Sequence, residues 1–511
     1  MRFLQRAFLA ALFLFPATTF SQNNVPKVDW ATVAKIREEG FQRSQVMDIV
    51  GYMTDVLGGR LTLSENMKRA QLWAKDKMGK VGLANVVVEP FMDYGVAWDN
   101  EYFSIHLIEP VYQPMVGFPL AYTPGTNGKL QCRAMIVEIQ SKADCEKYRG
   151  KLKNAAVMIS PLAVIDLMNP PRAVSRMTDE ELKKLEENVI PPAPRVSPPT
   201  VPNPDLLKAE ERIDFFRSES VSVVIQCDGG YFGMVRGFSR PGANNDKWSR
   251  EKDLASLPMI ELTPEHYNRL YRILKRNIPA TIEVNVKNKI GERVEKACNV
   301  IGEIPGTDLK DEIVMIGAHF DSWHESAGAG DAAAGCAVAL EAARILKSIG
   351  VHPRRTIRVA LWGGEEQGLN GSREYVLAHF GDPKKGTKKE YEKFSVYFNQ
   401  DYGGGQYRGI SLQGNEHVRQ TFAAWMEPFR DMGMSTITIQ SLGSTDHVSF
   451  NSYGLPGFQF LQDRIWMGGH SNMDFFDTLV PDDMMKNAVM LASFAYHAAM
   501  SDQRIPRKPL D

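Results

Sequence analysis

The sequence predicts an α/β protein, a mostly parallel mixed sheet flanked by helices, with an inserted β-rich domain. Three observations predict it. Beyond residue 286, apolar β-rich runs alternate with helical patterns, as parallel strands joined by crossover helices do. Between residues 112 and 285 short β-rich runs separated by turn signals take over. Polar residues able to hold a metal stand directly after the later apolar runs, where open α/β sheets form their ligand sites.

Taken in order, the chain opens on an export signal. Arg2 and Arg6 flank the apolar run Phe8–Phe15, and Ser21 precedes a cleavage point before Gln22. Residues 1–21 are therefore expected to be a signal peptide that makes the protein secreted or periplasmic. The apolar run is shorter than the roughly 20 residues that span a bilayer. Gln22 in place of a cysteine argues against a lipoprotein.

Residues 22–111 are read as the first part of the main domain. Ser64 is placed to cap a helix over 61–82, with Met67, Ala70, Leu72 and Trp73 on its apolar face. Two strand-like runs follow at Val86–Val88 and Tyr102–Ile108. The inserted domain is expected over 112–285, with strands near 134–139, 154–160, 221–227 and 280–286. Inside it an arm covers 178–217. Thr178 and Glu181 form a capping box for a charged helix. Pro191–Pro204 then holds seven prolines, which suit neither a helix nor a central strand. The arm reads as a solvated excursion, a lid or a dimer contact. Residues 286–511 complete the main domain, with strands near 312–318, 356–362, 394–400, 409–413 and 457–461 and helical patterns at 335–350 and 417–432.

The chain has 511 residues, with 60 basic and 61 acidic side chains, and this balance removes any whole-chain electrostatic case for nucleic acid or an anionic membrane. Neither partner is expected once the signal is removed. There are five cysteines and no Cys-x-x-Cys, so sulfur-bound zinc has no support. A bridge among Cys132, Cys145 and Cys227 is an option, but the odd count leaves at least one thiol unpaired. No Gly-x-Ser-x-Gly elbow points to a serine hydrolase.

The chemistry is concentrated at five places. His319 ends one apolar run, and Asp321, two residues on, could accept its other ring N–H and fix the tautomer. Asp331 lies among small residues before a helix, where it is either an N-cap or a carboxylate bridging two cations. Glu365 and Glu366 follow a buried run, where adjacent carboxylates are costly without partners. One can bind metal while its neighbour acts as a general base. Asp401 ends another run. His470 and Asp474 follow the last. Asp446 and His447 form a polar cluster that looks exposed and has no evident ligand role. Two histidines, three carboxylates and a spare glutamate suit a site for two zinc ions per chain, with manganese or cobalt as substitutes.

The segments GAHFDSW, GAGDAAAG, WGGEEQGLNGS, NQDYGGG, STDHVSF and GGHSNMD resemble the co-catalytic di-zinc exopeptidases of metallopeptidase family 28. The resemblance covers roughly residues 55–110 and 286–500. The insert is similar, less closely, to a protease-associated domain. The resemblance implies that His319 and Asp401 hold one zinc and Glu366 and His470 the other, with Asp331 between them. It implies Glu365 as general base, Asp321 orienting His319, Asp446 and His447 near the substrate, and Asp474 supporting His470. Gly469 stands where members often have a second histidine, and Ala332 where many carry Asp or Asn.

The expected function is a secreted zinc exopeptidase acting on short peptides as an aminopeptidase or dipeptidase. A carboxypeptidase on the same core is the alternative. A single-zinc glutaminyl cyclase and a non-catalytic receptor-like relative are the competing classes. The expected partner is the peptide substrate, with homodimerisation a further option.

Overall fold

In the first of two eight-stranded sheets, four neighbouring strands run parallel: Arg355–Trp362, Leu309–His319, Phe394–Asn399 and Gly457–Gln462. The computed structural model describes residues 27–166, 168, 174–188, 205–230, 232–242, 249–465 and 469–508. The expected signal peptide at 1–21 and the run Pro191–Pro204 lie outside the described residues. Ala84–Gly95 and Glu295–Ile304 extend the sheet antiparallel on one side. Tyr407–Ser411 and Thr436–Thr438 extend it on the other.

The central strands are apolar without a break because both of their faces are covered. Successive side chains point to opposite faces. From Leu309–His319, Val314, Ile316 and Ala318 enter a core under the helices Ala334–Ser348 and Pro481–Met500. Ile313 and Met315 instead join Trp362, Tyr375 and Phe450 on the far face, beside the helix Asn370–His379. The helix Ala334–Ser348 is rich in alanine because it lies against the sheet. A Cβ on Gly335 would overlap the carbonyl oxygen of Gln400 and sit 2.8 Å from the Ala318 Cβ.

The early helix runs Glu65–Val81, with the Ser64 hydroxyl accepting the Met67 N–H at 3.1 Å and Gly82 closing it at φ 88°. Its apolar face differs in part from the expected one. Met67, Ala70, Ala74 and Met78 are buried and Trp73 packs against the same core while stacking on Tyr52, whereas Leu72 is 66% exposed. A spacing of three to four residues keeps the first set on one stripe, and Leu72 falls off it.

The second sheet has the strand order Gln113–Pro114, Trp98–Glu109, Thr281–Ile290, Leu130–Ile136, Ala155–Met158, Val223–Gln226, Met259–Leu262, Gly117–Pro119. The chain enters it through Trp98–Glu109 and leaves through the antiparallel neighbour Thr281–Ile290. The sheet thus spans 98–290, wider than the insert read at 112–285. The run around Ile105 and Leu107 alternates in a way that suits either sheet, and only its long-range pairing with Thr281–Ile290 decides which one it joins.

The helix Asp179–Glu186 carries the expected Thr178–Glu181 capping box. Before it, Val174–Ser175 pairs with Arg464–Ile465, which follow the last parallel strand of the first sheet. All five cysteines are free, so the optional bridge does not form. No helix among the described residues is long and apolar enough to cross a membrane.

Candidate metal centre and active site

The four parallel strands deliver their polar residues to one edge. His319 ends its strand opposite Trp362. Trp362 leads through two glycines to Glu365 and Glu366, and Gln400 and Asp401 follow Asn399. The chain beyond Gln462 brings in His470. Asp331 comes from the turn Ala329–Ala333, just ahead of the helix Ala334–Ser348. Its side chain does not cap that helix.

His319 Nε2 lies 2.9 Å from Asp331 Oδ1 and 2.8 Å from Asp401 Oδ1. His470 Nε2 lies 3.2 Å from Asp331 Oδ2 and 2.8 Å from Glu366 Oε2. One carboxylate therefore faces two imidazoles, each through a different oxygen. Donor atoms of His319, Asp331 and Glu366 lie within 4.8 Å of one another. Glu366 Oε1 is buried and has no hydrogen-bond partner. The carboxylates overcome the effect of burial on both imidazoles. His319 is held well above its ordinary value, chiefly by Asp401 and Glu365. His470 is pushed up to about 11 by Glu366 and Asp331. This donor set, rich in carboxylates and buried except at the partly exposed His470, fits cations bound by imidazole nitrogen and carboxylate oxygen.

The surrounding residues act differently from what the sequence led us to expect. His319 Nδ1 donates to the Asp321 backbone carbonyl at 2.9 Å, while the Asp321 carboxylate is 3.8 Å away. That carboxylate instead accepts the backbone N–H groups of Glu365 at 3.1 Å and Glu366 at 3.2 Å. Asp321 thus orients His319 through its main chain and the glutamate turn through its side chain. Asp474 likewise turns away from His470. Its oxygens accept the N–H of Gly330 at 2.6 Å and of Asp331 at 2.9 Å.

Asp446 and His447 are fully buried, against the exposed cluster expected. Neither Asp446 oxygen has a hydrogen-bond partner. Burial pushes its carboxyl up to about 8, against the pull of His319. His447 Nε2 donates to the Leu442 carbonyl at 2.9 Å, and burial lowers the ring to about 4. Neither residue touches the two imidazoles.

Two features carry no sequence signal. The buried Arg60 donates to the carbonyls of Phe320 and Ala327, each at 2.7 Å, and of Gly328 at 3.1 Å, tying the His319 loop to the Asp331 turn. Phe238, from the second-sheet region, and Trp323 stand edge-on to His470, with ring centres 5.9 and 6.3 Å away.

Residues 299–495 match Peptidase family M28. The matched segment is that of an M28 peptidase. The match marks a metallo-exopeptidase, and it covers every strand of the parallel set. The chain is 22% identical over 487 residues to Carboxypeptidase Q of Mus musculus, covering 94% of this chain and 90% of the relative. Matches to the frog and human Carboxypeptidase Q span about half of each relative. A peptidase M28 precursor from Shewanella amazonensis shares the fold at TM-score 0.66 and 23% identity, over 94% of this chain and 99% of the other. A zinc aminopeptidase from Bacillus subtilis does so at TM-score 0.57 and 17% identity, over 90% and 95%.

Proposed function

We propose that this M28 peptidase is an exported two-zinc exopeptidase that hydrolyses short peptides as an aminopeptidase or dipeptidase, with Glu365 as general base. The observation that carries the reading is the Asp331 carboxylate, one oxygen facing His319 and the other His470. Such an arrangement suits a carboxylate shared by two cations. His319 and Asp401 would hold one ion, and Glu366 and His470 the other. Bound there, zinc would supply Lewis-acid polarisation of the scissile carbonyl and acidify water.

The chain's own groups do the rest. Glu365 bonds neither imidazole directly, although its charge acts on His319, and its carboxylate would take a proton from the attacking water and pass it to the leaving amine. The Asp321 carboxylate, gripping the Glu365 and Glu366 N–H groups, holds base and ligand in fixed relation. The Asp446 carboxylate is near enough to help push the Glu365 carboxyl up, after burial and alongside Asp401. Phe238 and Trp323 offer an apolar wall beside His470 for a substrate side chain. Export would follow from residues 1–21, and the mature chain should begin at Gln22. The second sheet would be an inserted module of the protease-associated type.

A carboxypeptidase is the second reading, favoured by the match to mouse Carboxypeptidase Q over 94% of this chain. Mass spectrometry of products from end-blocked peptides separates the two. Cleavage of amidated peptides with a free amino end, and none of acetylated peptides, supports the aminopeptidase. The reverse pattern establishes the carboxypeptidase. One zinc per chain with no hydrolysis of either set would favour the cyclase class.

A further inference from the structure

His470 is held differently from the other members of the cluster. Segments of the first sheet and its helices carry His319, Asp331, Glu366 and Asp401, whereas the chain on both sides of His470 is gripped by excursions from the second sheet. Upstream, Val174–Ser175 pairs with Arg464–Ile465. Beside that pair, Arg176 Nη1 bridges Asp463 Oδ2 and Asp483 Oδ2, each at 2.9 Å. The Met177 N–H donates to Asp463 Oδ1 at 2.8 Å. Both aspartates are buried, and Arg408 is a second cation on Asp463. Without Arg176, Asp463 would keep only Arg408 and the buried Asp483 would lose its arginine, a costly arrangement.

Downstream, the Gly237 N–H donates to the His470 carbonyl at 3.2 Å. Asn472 closes a ring of contacts with the same segment. Its N–H donates to the Val235 carbonyl at 3.0 Å, its Oδ1 accepts the Val235 N–H at 2.7 Å, and its Nδ2 donates to the Gly233 carbonyl at 3.0 Å. His470 itself sits at φ +54°, a region L-residues seldom adopt unless their surroundings hold them there.

We infer that docking of the second-sheet module builds the His470 half of the metal centre, with Arg176 and Asn472 as positioning residues. The inference rests on the two-ion reading above. Module docking and cation binding at Glu366 and His470 then strengthen each other, as linkage requires. The His319–Asp401 half forms independently of these contacts.

The test is an equilibrium zinc titration of the full chain and of the variants His470→Ala, Arg176→Met and Asn472→Ala. It is joined to amide hydrogen exchange on the wild type with and without zinc. The wild type should bind two ions and His470→Ala one. Arg176→Met and Asn472→Ala should bind the first ion normally and the second about 10–100-fold more weakly. Zinc should slow exchange at 174–177 and 233–237 in the wild type. Undiminished affinity for both ions in the two positioning variants, with exchange there indifferent to zinc, overturns the inference and leaves the two-ion reading standing. Fewer than two ions in the wild type, or two in His470→Ala, overturns that reading and the inference with it. If Arg176→Met does not fold, Asn472→Ala and the wild-type exchange data decide.

Discussion

The Asp474 carboxylate accepts the backbone N–H of Asp331 at 2.9 Å, and its other oxygen accepts that of Gly330 at 2.6 Å. Asp331 lies in a turn with φ −120° and ψ 89°, outside helical geometry. Its N–H therefore needs a partner from elsewhere, and Asp474 supplies it while both Asp331 oxygens stay directed at the imidazoles. Asp474→Ala strands two buried donors, each worth about 1–3 kcal/mol. The expected outcome is a lower Tm together with reduced zinc content. Asp474→Asn, which keeps one acceptor, should lose less of both.

Glu365→Gln preserves size and removes the proposed base. Zinc content should match the wild type, while peptide hydrolysis falls by about 10²–10⁴-fold. Turnover at the wild-type rate would remove Glu365 from the mechanism.

Asp331→Ala should affect metal before anything else. Each imidazole loses a carboxylate partner, at 2.9 Å for His319 and 3.2 Å for His470. Elemental analysis of the purified variant is expected to show a clear drop in zinc. Two ions retained there would contradict the bridging role.

Gly335→Ala tests the close approach of helix and sheet. The added methyl overlaps the Gln400 carbonyl, one residue before Asp401. Overpacking of this kind costs about 1–3 kcal/mol. Thermal unfolding should show that loss, with weaker zinc binding because the Asp401 strand end must shift.

His379 provides a pH signature away from the metal centre. Its Nε2 lies 2.7 Å from Glu89 Oε1, and Nδ1 lies 3.6 Å from Glu390 Oε2. Burial lowers its pKa, but the carboxylates of Glu390 and Glu89 beside it prevail and raise it from 6.5 to about 9. A raised folded-state pKa means the stabilisation is complete below about pH 6.5 and is lost as pH climbs through about 9. The Tm gap between wild type and His379→Gln should be widest near pH 6 and shrink by pH 9.5. A gap that does not change with pH would show that the pair contributes packing alone.

The class of sheet and the polar residues at the ends of its parallel strands were legible in the sequence alone. Uninterrupted apolar runs such as those ending at His319 and Trp362 mark strands buried on both faces, and a polar residue at the end of such a run is legible because burial makes it costly. Local signals also determined the Ser64 cap and the Thr178–Glu181 capping box, since both depend on neighbours three residues apart. Only the tertiary structure decided what each supporting group does. Asp321 turned to the Glu365–Glu366 backbone and Asp474 to the Asp331 turn, because a buried carboxylate takes whichever unpaired N–H the packing brings near it. The edge of the second sheet, the Arg60 tie between the His319 loop and the Asp331 turn, and the grip of Arg176 and Asn472 on the His470 loop were likewise beyond sequence reading. These contacts join residues far apart in the chain, and no local pattern encodes which distant strand or carboxylate will arrive.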